Sequence, residues 1–343
     1  MGRFASRPSS VLDFATVITD VFSDFADPKK RIFVGYFALS LVIAFVWLIA
    51  LRRKDSRSAM GKIFDRKVWF SKSSRADYAI FVINQIVSLL VSPLLLTQLA
   101  IGTAVFFWLH KFDFLSRGLF TDVSTPVVVA LFTGTLFLVD DLTKYLVHRW
   151  MHRWPLLWSI HKVHHSAKTM TPITVYRVHP LEGILYGMRS TFAQGTVIGA
   201  FIFFFGGAVD LATILGVNVL SFIFHVTGSN LRHSHIQIRY WPWLERILIS
   251  PAQHQVHHST AKRHFDKNFG VAFAVWDWMF GSLHLSEEDD NLTFGLPDKI
   301  ASADNLFDIY TRPFVDMWRV ITSRIRALFG FLARSFGALR PKS

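Results

Sequence analysis

The chain contains no cysteine. That absence excludes disulfides, iron–sulfur clusters and thiolate metal sites together. Any metal bound here takes nitrogen and oxygen ligands, a donor set suited to iron, zinc, copper or manganese. Acids are sparse, with 24 Asp and Glu against 37 Lys and Arg. No compact apolar core follows a basic start, so the N-terminus does not read as a secretory signal peptide. The opening Met1-Gly2-Arg3-Phe4-Ala5-Ser6 fits a loose myristoylation pattern, of a kind that short segments mostly match by accident. Internal repeats, low-complexity tracts, a glycine-rich phosphate loop and a dinucleotide fingerprint are also missing.

Apolar surface is what the 343 residues have in abundance: 51% are hydrophobic, 34 are Phe and 11 are Trp. Soluble globular domains are less apolar, so the composition predicts a polytopic membrane protein. The net charge of +13 then reads as cytoplasmic loops and contact with an anionic lipid surface, and no nucleic acid is expected.

Taken in order, residues 1–28 place Val11, Phe14, Ala15, Ile18, Phe22 and Phe25 at helical spacing. They predict an amphipathic helix capped by Ser10, with Asp13 three residues on. Residues 29–125 are read as N-terminal transmembrane helices and a basic loop. Ile32–Leu51 is an uncharged run between basic triplets, long enough to span. Residues 52–76 then carry Arg52, Arg53, Lys54, Arg57, Lys62, Arg66, Lys67, Lys72 and Arg75, which places the loop in the cytoplasm. Ala79–Leu109 is uncharged and long for one crossing, with Ser92-Pro93 near its middle. It predicts one kinked or tilted span, or else a re-entrant hairpin.

Pro126–Val147 is the next span, with Asp140, Asp141 and Lys144 in its last turns. Ionisable groups at that depth are costly and face a protein interior or a polar site. Asp141 lies two helical turns before His148 on the same face, and is expected to orient a ligand histidine through the ring's second nitrogen. Further on, Gly183–Phe205 and Val209–Val226 form an apolar pair joined at Gly206-Gly207, read as a hairpin crossing out and back. From Pro313 onward, Phe314, Trp318, Ile321, Ile325, Leu328, Leu332 and Phe336 recur at three and four residues among arginines. They predict a basic amphipathic helix on the inner membrane surface, within a C-terminal tail of residues 286–343.

The densest chemistry lies in His148–His165, which holds His148, His152, His161, His164 and His165. A second HxxHH, His254, His257 and His258, follows about ninety residues later. Positions i, i+3 and i+4 share a helical face, so each cluster aims several neutral imidazoles in one direction. A lone histidine beside an apolar segment is ordinarily a satisfied core residue. Eight in three ligand-spaced clusters call for a shared partner, and a metal satisfies them together. Counting crossings from the basic loop brings every cluster out on the cytoplasmic side. A metal transporter or scaffold is the competing reading, but ligands confined to one membrane face argue against a transport path.

These residues resemble the fatty acid hydroxylase and sterol desaturase superfamily. The likeness spans about residues 126–285. It includes the phrases Asp141-x3-Tyr145-x2-His148, Arg177-x-His179-Pro-x-Glu182, Ser250-Pro251, Asp266-x-Asn268-Phe-Gly270 and Trp276-Asp277-x2-Phe-Gly281. It implies an all-α membrane bundle with a cytoplasmic helical cap, in the bacterial inner membrane or the endoplasmic reticulum. It also implies two iron ions, with zinc as a substitute in purified protein, that use O2 to hydroxylate or, less readily, desaturate a lipid. Carried over by position, His148, His152, His161, His164, His165, His254, His257 and His258 are ligands. His225 and His233 are assigned as additional ligands, and His235 is placed behind them. Asp141, His179, Glu182, Asp266 and Asp277 are expected to support the ligands. With no recognisable electron-carrying module in the chain, a separate reductase, ferredoxin or cytochrome-type donor is implied.

Overall fold

The computed structural model describes residue 23 and residues 25–28, 30–92, 95–206, 218–227, 229–287, 292–296 and 304–338, the side chains of Asn218 and residues 332–338 excepted. The expected helix at residues 1–28 falls almost wholly outside them, as does half of the expected span 209–226. Among the described residues the protein is helical, with only isolated β-bridges, Leu248 to Phe273 and Ser259 to Phe294.

Helix α1, Val34–Ala50, leads through the Asp55-capped α2, Ser56–Ile63, and a single turn at Arg66–Trp69 into α3, Lys72–Val91. The expected single span over 79–109 is two helices. α3 ends at Ser92, and α4, Gln98–Leu109, begins behind a Thr97 cap. Pro93 supplies no N–H for continued helical bonding, and Thr97 accepts a bond from the Ala100 N–H to start the chain afresh. At twelve residues α4 is roughly 18 Å long, short of the roughly 30 Å hydrocarbon core.

Among the described residues, three helices are long and apolar enough to cross a membrane: α3, α5 (Thr125–Arg153) and α7 (Pro180–Phe205). α1, at 17 residues, is apolar but shorter. α4 lies against α7 at near backbone contact. A β-carbon at Gly195 would sit 2.8 Å from the Gln98 carbonyl oxygen, and one at Gly199 would strike the Gly102 carbonyl. Small residues four apart allow this approach, which larger side chains would forbid.

α5 is roughly 43 Å long at 29 residues, so its C-terminal turns extend past the length a bilayer core covers. Those turns carry His148 and His152. α6, Pro155–His165, starts at a proline immediately after α5 and turns the chain back across the end of the bundle. α8, Asn218–Val226, is followed by the short 3-10 turn Ser229–His233, then α9, Pro251–His257, and α10, Val275–Met279. α11, Leu306–Ala338, closes the described chain and packs its first turns on α6 and α3, where Ile309 meets Ile80 and Val163.

Candidate metal centre

Nine histidines gather into two groups at the end of the bundle. His148 and His152 from α5, His161 and His165 from α6, and His257 from α9 form one; His164, His233, His254 and His258 form the other. Within each group the candidate ligand atoms all lie within 4.8 Å of one another. Helical spacing explains the partition. Residues four apart, His148 with His152, His161 with His165 and His254 with His258, point into the same group. His164 and His257 project from the adjoining faces of α6 and α9, so both helices contribute to both groups. The groups share a wall, where the His165 and His258 rings stack at 4.3 Å.

Four rings are oriented through Nδ1. His161 donates to the Glu182 carboxylate at 2.8 Å, and His148 to the Phe269 carbonyl at 2.8 Å. His257 donates to the Lys267 carbonyl at 2.7 Å, and His164 to that of Arg177 at 3.3 Å. A proton on Nδ1 leaves the Nε2 lone pair facing inward. Nε2 of His152, His161, His165, His257 and His258 is buried with no hydrogen-bond partner among the described residues. In the other group, Nε2 of His233 stands 3.0 Å from Nε2 of both His164 and His254. Neutral rings cannot satisfy both contacts, because one Nε2 cannot donate a proton and accept one at once. At most one of the two contacts can then be a full hydrogen bond, and the other leaves a buried nitrogen unpaired.

Protonation does not resolve the conflict. Burial holds His161, His165, His233, His254, His257 and His258 well below the ordinary histidine range, and lowers His164 to about 3. A cation does resolve it, since two nitrogens each about 2.1 Å from one ion and at right angles lie about 3.0 Å apart. The orphaned nitrogens, their neutrality and their spacing all fit a metal ion in each group.

The carboxylates divide by role. Glu182, 1% exposed on α7, touches a histidine directly. Asp141 does not: it accepts from the N–H groups of Ala272 and Phe273 and from the Trp276 indole, at 2.8, 3.1 and 2.9 Å. Seven residues along a helix are roughly 10.5 Å, so sharing a face with His148 does not bring Asp141 into contact with it. Asp277 accepts from the N–H groups of Phe269 and Gly270 and from Ser282 Oγ, while burial pushes its pKa up to about 6. It thereby fixes the loop whose carbonyls hold His148 and His257. Asn268 completes that loop in the left-handed region, bonding the carbonyls of Gln253 and His284.

The remaining expected site residues lie elsewhere. His225 bonds Ser229 Oγ at 2.9 Å beside Tyr36, outside both groups. His235 bonds the Lys62 carbonyl, and Asp266 makes a half-exposed ion pair with Arg153 at 3.8 Å. His179 caps α7, accepting from the Leu181 N–H and donating to the Tyr310 carbonyl. Two supporting residues went unassigned from sequence. Gln255, buried inside the second HxxHH, bonds the Ser234 and Ile236 carbonyls and so fixes the turn that ends at His233. Arg177, fully buried, pairs with Asp77 of α3 at 2.7 Å and bonds Ser166, which fixes the carbonyl that orients His164.

Fold and site together define an α-helical membrane protein whose spans carry paired histidine groups at one end. Residues 133–282, somewhat under half of the chain, match the fatty acid hydroxylase family model, and the similar proteins come from the same superfamily of lipid hydroxylases and desaturases. Similar proteins include an alkylglycerol monooxygenase from Danio rerio, 26% identical over 52% of this chain and 35% of the relative. A Delta(7)-sterol 5(6)-desaturase from Eremothecium gossypii is 28% identical over 51% of this chain and 43% of its own length. An ornithine lipid hydroxylase from Rhizobium tropici is 26% identical over 48% and 45%. The alignments thus span less than half of each of these relatives. No solved structure gives a significant match.

Proposed function

We propose that the protein is an integral-membrane di-iron oxygenase that hydroxylates a lipid. The observation that carries this reading is the convergence of nine histidines, in groups of five and four, with the buried Nε2 atoms of His152, His161, His165, His257 and His258 left without a hydrogen-bond partner among the described residues. His148, His152, His161, His165 and His257 would hold one ion, and His164, His233, His254 and His258 the other. When bound, an iron pair supplies the power to activate O2 and oxidise an unactivated C–H bond.

The chain's own residues bind, orient and exclude water. Glu182, Phe269, Lys267 and Arg177 fix which nitrogen of each ring carries the proton, so the donor set is ordered before any ion arrives. The Glu182 carboxyl gives the five-histidine group an acidic side chain in direct contact, which the other group lacks. Burial of the rings keeps bulk water from the site, which protects an oxidant from side reactions. The spans α3, α5 and α7 lead an apolar substrate from the bilayer to the end where the histidines sit, and the basic loop 52–76 gives an acidic electron donor a docking surface on the cytoplasmic side.

The test is iron content together with oxygen-dependent turnover of total lipids, followed by mass spectrometry. Two irons per chain and a lipid product heavier by one oxygen atom are expected, with both lost in His161→Ala and in His254→Ala. A product lighter by two hydrogens would make the protein a desaturase. Bound iron without an oxygen-dependent product would overturn the oxygenase reading in favour of metal storage.

A further inference from the structure

Helix α11 leaves the domain after three turns. Ile309 and Asp316 hold its first turns to the body, Ile309 against Ile80 and Val163, and Asp316 through an ion pair with Lys162 of α6. Tyr310 fixes the helix at the level where α7 begins, taking a bond from His179 at 3.2 Å and giving one to Asn84 of α3 at 3.1 Å. Beyond Asp316, Trp318, Ile321, Ile325, Leu328 and Phe329 fall within a stripe about 100° wide. They are exposed, Trp318 at 67%, Leu328 at 57% and Phe329 at 66%. Scattered apolar residues are common on protein surfaces, but a contiguous stripe along about three turns marks an interaction face.

Charge identifies the partner. Residues 317–338 contain Arg319, Arg324, Arg326 and Arg334 and no acid. All four lie off the apolar stripe, so one side of the helix is greasy and its flanks are cationic. That arrangement suits the headgroup boundary of an anionic leaflet, where the apolar side chains enter the acyl region and the arginines stay among phosphates. A second copy of the chain would meet the same four positive charges on its own helix and be repelled.

We infer that α11 is a peripheral anchor lying in the surface of an anionic leaflet, on the same side of the membrane as the histidine groups. Because Asp316 grips Lys162 on the helix that carries His161, His164 and His165, this contact also fixes the height of the metal-site helix above the lipid. The inference rests on membrane residence and not on the oxygenase reading.

The absence of cysteine makes the test direct, since a single introduced thiol is the only labelling site. Ile325→Cys places an environment-sensitive dye on the stripe, and Ser323→Cys places it on the opposite face. Each full-length variant is put into nanodiscs of phosphatidylcholine alone or mixed with phosphatidylglycerol, with and without nitroxide-bearing lipid. The expected result is blue-shifted emission and nitroxide quenching for Ile325→Cys in the anionic discs, with Ser323→Cys remaining water-like. Replacing Arg319, Arg324 and Arg326 by Gln should release the helix, each arginine shifting the docking equilibrium by about fivefold. Equal quenching in the two bilayers overturns the inference. So does a shielded dye at Ile325→Cys that lipid nitroxide cannot reach, a result that assigns the stripe to a protein neighbour.

Discussion

At the scale of single residues, orientation of the rings is as informative as their number. Spacing alone revealed eight of the nine grouped histidines, because i, i+3 and i+4 recurrence is a property of the sequence. His233 needed the resemblance, and His225, assigned beside it, stands apart against Ser229 and Tyr36. The partners that orient His148, His257 and His164 are backbone carbonyls, which leave no mark in a sequence because every residue has one. Glu182 is the exception, a buried side chain whose effect can be measured. Glu182→Gln keeps the volume and removes the carboxyl group facing His161 Nδ1, and should weaken metal retention by about 10- to 100-fold with the fold intact. Competition with a graded chelator, read beside circular dichroism, checks this; unchanged retention would remove Glu182 from the site's electrostatics. Acid should act on the same rings. Folding depresses their pKa values, His164 to about 3, so below about pH 6.5 the unfolded chain takes up protons that the folded chain refuses. The stability they contribute is complete above that pH and is lost as pH falls, each such ring adding about 1.4 kcal/mol per pH unit to the slope. Thermal unfolding of metal-free protein in detergent, from pH 7.5 to 5, should show a progressively falling Tm.

At the scale of elements, the long apolar helices were legible because twenty uncharged residues have few other uses, while their packing was not. The break at Ser92 follows from Pro93, but whether it made a kink or two helices depended on where the second half could pack. It packs on α7 through Gly102, Gly195 and Gly199, a contact that hydropathy cannot show because glycine contributes little to it. Gly195→Leu should separate α4 from α7 and lower stability by roughly 1–3 kcal/mol or more, since its β-carbon alone meets the Gln98 carbonyl at 2.8 Å. Gly134→Ala, with nothing within 4 Å of the added carbon, should be silent in the same melting assay. The loop 266–270 is a second such element. Asp277 receives two of its N–H groups, and Asp277→Ala would leave both buried donors unpaired at about 1–3 kcal/mol each. Loss of metal should accompany loss of stability there, because the same loop carries the carbonyls that aim His148 and His257.

At the scale of the whole molecule, the remaining question is which way the bundle sits. Basic residues crowd the stretch 52–76, and the histidine groups lie at the same end of the helices, with His235 bonded to the Lys62 carbonyl of that stretch. The opposite end is the turn at 110–124, where the N–H of Gly118 bonds the Phe203 carbonyl at the close of α7. By the positive-inside rule the first end is expected in the cytoplasm. The missing cysteines again permit a clean measurement. Arg57→Cys in the basic stretch and Lys262→Cys beside the histidine groups should react with a membrane-impermeant maleimide in inside-out vesicles, and Thr121→Cys only in right-side-out ones. If Arg57→Cys and Lys262→Cys label from opposite sides, the histidine groups do not share a face with the basic stretch. The proposed docking of an acidic electron donor beside the histidine groups would then fail on geometry alone.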